Sequence, residues 1–67
     1  MPTYTKLTED EMTAIQEAAV RSLEYQMYAL EVEKIAENAK TSPDASKISE
    51  LNASIAEKQA QITAVLA

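Results

Sequence analysis

The sequence predicts an all-α protein: an antiparallel two-helix hairpin of coiled-coil type, completed by oligomerisation or by a partner into a helical bundle. Three observations lead there. The 67 residues contain no glycine and only two prolines, at positions 2 and 43, whereas average usage of roughly 7 % would supply about five glycines. A capping signature opens one long segment with no helix breaker inside it, and a Ser-Pro-Asp step opens a second. Apolar residues in both segments recur at alternating spacings of three and four, the period of a helix face and not of a strand.

Residues 1–7 carry no periodicity and are expected to form a tail, with residues 8–67 as a single hairpin. Thr8-Glu9-Asp10-Glu11 is a capping box, in which the Thr8 hydroxyl caps and Glu11 reaches back to the Thr8 amide. Leu7 and Met12 hold the two positions of a hydrophobic staple, and three acids in the first turn complement the helix dipole. The first helix is therefore expected over about 9–40. Lys40-Thr41-Ser42-Pro43-Asp44 interrupts it, because the residue before a proline is pushed out of the helical region. Ser42 as N-cap with Pro43 at the first helical position predicts a turn at 41–43 and a second helix over about 43–65. So short a connection makes the two helices antiparallel.

Helix 2 carries a heptad seam of Ile48, Leu51, Ile55, Lys58, Ile62 and Val65. The matching spacing in helix 1 is Tyr25, Tyr28, Val32, Ile35 and Ala39, continued towards the N-terminus by Arg21, Ala18 and Ala14. Folded about the turn, these sets pair in one register in which the two residue numbers sum to 83, from Ile35 with Ile48 to Ala18 with Val65. That register predicts Lys58 lying along Tyr25 with its ammonium near Glu24. Met12, Ile15, Ala19, Leu23, Met27 and Leu30 are then left as a second stripe, roughly opposite the seam, and are the expected partner interface. Their spacing is nearer to 11 residues per three turns, from Met12 to Leu23 to Lys34, which suits a nearly straight helix. Ala45, Ala53, Ala56, Ala60, Ala64 and Ala67 form a small-residue flank of helix 2.

Composition removes most chemistry. With no His and no Cys there is no imidazole or thiolate for a zinc site, no Ser-His or Cys-His nucleophile and no disulfide. Without glycine there is no glycine-rich phosphate cradle. The acids that remain, Glu17, Glu24 and Glu31 at intervals of seven and the pair Glu33 and Glu37, read as solvated helix edge. Glu17–Arg21 and Glu37–Lys40 read as helix-surface ion pairs. No enzymatic activity, cofactor or metal is expected.

A net charge of −5 disfavours nucleic acid and anionic membrane surfaces as partners, and no apolar run is long enough to span a bilayer. A chain this small usually needs disulfides, metal or a partner to complete its core, so the expected partner is protein, either a further copy or a larger assembly. The expected function is that of a non-enzymatic structural or assembly subunit, for instance a minor component of a phage particle. The alternatives are a small acidic regulator or inhibitor that docks a helix face on its target, and an assembly chaperone for a coiled-coil client. The start, Met1-Pro2-Thr3-Tyr4-Thr5-Lys6, lacks the apolar core of a signal peptide. The expected location is thus the cytoplasm or a virus particle assembled there.

Overall fold

A computed structural model of the chain describes residues 6–67; Tyr4 and most of the expected tail lie outside the described residues. Two α-helices are present, α1 (Glu9–Asn38) and α2 (Ala45–Leu66), and there is no strand among the described residues. They run antiparallel as a hairpin. The rod measures 55 × 16 × 12 Å, with a radius of gyration of 16.2 Å, where a compact domain of this length would have about 11 Å. A two-helix rod has no third layer. Among the described apolar side chains only Leu51 and Ile62 are buried, at 7 % and 8 % exposure.

The start of α1 is the predicted capping box. Thr8 Oγ1 accepts from the Glu11 amide at 3.1 Å, and Glu11 Oε1 accepts from the Thr8 amide at 3.0 Å. Two amide groups without an intrahelical partner are thereby satisfied. These hydrogen bonds from Thr8 hold the Glu11 carboxyl below its ordinary pKa. Leu7 and Met12 are both half-buried at the staple positions. Thr8→Ala is expected to lower stability by about 1 kcal/mol, read as a fall in the thermal midpoint of helical circular dichroism.

The start of α2 differs from expectation. Asp44, not Ser42, is the N-cap, and Pro43 precedes the helix instead of opening it. Asp44 Oδ1 accepts from the amides of Ser46 at 2.9 Å and Lys47 at 3.3 Å. A carboxylate is the stronger acceptor for two amides at the positive end of a helix dipole. The Asp44 amide donates to Glu37 across the turn.

The register is the larger correction. Two polar contacts tie the ends of the hairpin: Gln16 Nε2 donates to the Val65 carbonyl at 3.1 Å, and the Asp44 amide donates to Glu37 Oε2 at 3.1 Å. In both pairs the residue numbers sum to 81, not 83. Two residues along a helix amount to about 200° of rotation, so α1 turns its opposite side to α2. The covered positions of α1 are Met12, Gln16, Ala19, Leu23, Met27, Leu30, Lys34 and Glu37, all half-buried or buried. The expected α1 half of the seam is exposed: Tyr25 at 80 %, Tyr28 at 70 %, Val32 at 47 % and Ile35 at 58 %.

Helix 2 presents the face that its heptads predicted. Ile48, Leu51, Ile55, Lys58, Ile62 and Val65 are all buried or half-buried. Its alanines at 45, 53, 56, 60, 64 and 67 are exposed.

Candidate functional site: the uncovered face of helix 1

Once the Met/Leu stripe is given to α2, the uncovered apolar surface of α1 is the heptad Tyr25, Tyr28, Val32 and Ile35. At 100° per residue the row is centred about half a turn from the covered stripe, although Tyr28 borders a groove shared with Ile55, Ile62 and Leu66 of α2. The same seam runs on through Arg21 to Ala18 and Ala14, all exposed, and ends at the exposed Ala39. Nearly the whole of α1 thus shows a second, coiled-coil-like face.

The two edges of this face differ in chemistry. Glu17, Glu24 and Glu31 line one side at heptad spacing, while Ser22, Ala29 and Ala36 line the other. Arg21 is the only basic side chain on the face, and Glu17 and Arg21 do not form the expected ion pair. Glu31 instead stands 3.9 Å from the Lys34 ammonium. Along the acidic edge the two helices leave an open groove of about 510 Å³, lined by Val20, Met27 and Tyr28 of α1 and by Ile55, Ile62 and Leu66 of α2. Lys58 does not reach Tyr25 or Glu24. It borders a groove on the other edge with Gln26, Ala29, Leu30 and Glu33, because the half-turn rotation of α1 carries Tyr25 away from it.

Of the residues expected to meet a partner, Met12, Ala19, Leu23, Met27 and Leu30 lie half-buried on the side of α1 that faces α2. Ile15, at 59 % exposure, lies beyond the covered stripe. Of the expected seam, the α2 residues are covered by α1, and Tyr25, Tyr28, Val32 and Ile35 are not.

Sequence reasoning treated Glu37 as surface, and the structure makes it the polar centre of the turn. It is 3 % exposed. Its Oε1 accepts from the Lys40 ammonium at 3.0 Å and lies 3.7 Å from that of Lys47, while Oε2 takes the Asp44 amide. The Asp44 amide, then Lys40 and Lys47, hold the Glu37 carboxyl below its ordinary pKa against the opposing effect of burial. The signal in the sequence was the pair of lysines at 40 and 47 that bracket an N-cap aspartate. The arrangement is a latch between two helix ends. All of its acceptor oxygens are engaged within the chain, so it offers nothing to a substrate.

Among the described residues no three acidic side chains gather where they would hold a metal ion. Neither described helix is long and apolar enough to cross a membrane. Comparison with protein-family models, with curated proteins and with solved structures finds no match.

Proposed function

We propose that this chain is a non-enzymatic helical assembly subunit that works through protein–protein contacts made by the outer face of α1. The observation that supports this most is the exposure of Tyr25, Tyr28, Val32 and Ile35 in one heptad row. The two tyrosines alone leave roughly 300 Å² of side chain in water. With Ile15, Val32, Ile35 and the alanines between them, the face reaches on the order of 600 Å², the upper end of the patch a monomer usually shows. A hairpin with two buried apolar side chains gains the most from covering such a surface. The phage-particle instance is one setting for a subunit of this kind.

The test is solution mass by light scattering, for the wild type and for Tyr28→Glu/Val32→Glu. The wild type is expected above monomer mass and the double variant at monomer mass with its helicity unchanged. A wild type that stays monomeric up to millimolar concentration and binds no partner helix would overturn the reading.

The acidic edge beside the open groove supports a second reading, a small regulator that docks on a basic target. Salt separates the two. Charge-driven docking weakens several-fold between about 50 and 500 mM salt, whereas apolar association holds or tightens.

A further inference from the structure

We infer that the occupant of this face is a second copy of the same chain, with the two α1 helices packed antiparallel about a two-fold axis. The inference rests on the outer face of α1 being the contact surface and adds who sits there and in which direction. Its basis is a size gradient along the face. The C-terminal half carries the bulky Tyr25, Tyr28, Val32 and Ile35, and the N-terminal half carries Ala14 and Ala18.

Antiparallel pairing in which residue numbers sum to 46 lays two of the four bulky side chains on small ones, Tyr28 on Ala18 and Val32 on Ala14 of the second copy, while Tyr25 meets Arg21 and Ile35 meets Glu11 at the helix end. By two-fold symmetry each contact occurs twice. Interaxial distance follows the side chains at the contact, so the large-on-small layers, repeated on both sides of the two-fold axis, let the two ends of the pair approach equally. Parallel pairing stacks Tyr25 on Tyr25 and Tyr28 on Tyr28, then Ala18 on Ala18 and Ala14 on Ala14. The axes would be forced apart at one end and left without contacts at the other.

Charge and length agree with the same choice. In the antiparallel register Arg21 lies opposite Tyr25 of the second copy, a ring face for the guanidinium, with Glu24 of that copy beside it. A parallel pair would place Arg21 against Arg21 in the seam. The midpoint of α1 (Glu9–Asn38) falls between Leu23 and Glu24, so a register of 46 overlaps the two helices over almost their full length. The pair would bury about 1,200 Å² in total, the lower bound for a stable interface. One feature opposes it: Glu24 meets Glu24, and Glu17 meets Glu31, along the acidic rim. That rim is open to solvent, so added salt relieves the repulsion and tightens the dimer.

The chain has no cysteine, which permits a clean test with two single variants at exposed positions, Ala14→Cys and Val32→Cys. Each is prepared reduced, and both are treated with a short bis-maleimide crosslinker separately and as a re-equilibrated mixture. The expected result is a covalent dimer in the mixture and little in either variant alone. Efficient crosslinking of each variant alone would overturn the antiparallel pairing and leave the contact face standing. A monomeric wild type in light scattering would overturn self-association. A dimer that survives Tyr28→Glu/Val32→Glu would overturn both the face and the pairing.

Discussion

Replacing Leu23 and Met27 together by glutamate is expected to abolish the cooperative thermal transition of the hairpin and most of its helical circular dichroism. Both residues lie on the face of α1 that α2 covers. Removing each from its apolar contacts costs up to about 1.5–3 kcal/mol, and placing two carboxylates against the Ile55–Ile62 stretch of α2 adds a desolvation cost. A small domain has only about 5 kcal/mol to lose. The matched double substitution on the opposite face, Tyr28→Glu/Val32→Glu, changes positions already in water and is expected to retain the helical signal and the hairpin. The contrast between the two variants reads out which side of α1 is the intramolecular one. If the Leu23/Met27 variant keeps a cooperative melt while the Tyr28/Val32 variant loses it, α1 packs on α2 through the tyrosine row, half a turn from the Met/Leu stripe.

The second large effect is expected at the turn. Glu37→Ala removes the acceptor shared by the Asp44 amide, Lys40 and Lys47, and a fall in melting temperature of roughly 5–10 °C is expected. Glu37→Gln keeps an oxygen for the Asp44 amide and should fall between Ala and wild type. Acid acts on the same latch. The folded-state pKa of Glu37 lies below its ordinary value of 4.5. As pH falls through that value, the unfolded chain takes up a proton that the folded chain does not, and the folded state loses stability. The contribution is complete above about pH 5.5 and is lost progressively as pH falls through the depressed folded-state pKa. Glu11, held down by Thr8, works in the same direction. Urea melts across pH 3–6 check this: the Glu37→Gln variant should show a shallower acid loss than wild type, with the remainder due in part to Glu11. Identical acid profiles for the two proteins would remove Glu37 as the source.

Much of the fold is legible in the residues because it depends on local chemistry. Thr8 and Glu11 are three apart, and their capping box forms whatever α1 later packs against. The turn is local as well, although its detail was decided between neighbours. Ser42 and Asp44 both qualify as N-caps, and the choice of Asp44 follows from Glu37, seven residues away, which takes the Asp44 amide. Helix 2 carries one row of large apolar side chains, so its buried face had no competitor.

Helix 1 is different because it carries two apolar rows, on opposite sides. Tyr25, Tyr28, Val32 and Ile35 match the heptads of α2, and Met12, Leu23, Met27 and Leu30 follow a longer period. Matching spacing favoured the first row, but spacing does not register what a buried side chain must do with its polar atoms. Tyrosine hydroxyls need partners when buried and none when exposed. Gln16 and Glu37, which lie with the Met/Leu row, find the Val65 carbonyl and the Asp44 amide at the two ends of the hairpin. An 11-residue period also keeps a row in line along a nearly straight helix.

What the sequence determined by itself was therefore the kind of object: two uninterrupted helices, the capped start of α1, an antiparallel hairpin and the inward face of α2. Each of these depends on residues within a few positions of one another or on a single unambiguous row. Only the tertiary structure decided which side of α1 is covered, because the two rows are close in apolar content and the choice depends on contacts between residues up to 49 positions apart. That decision moves the uncovered apolar row of α1 from Met12–Leu30 to Tyr25–Ile35.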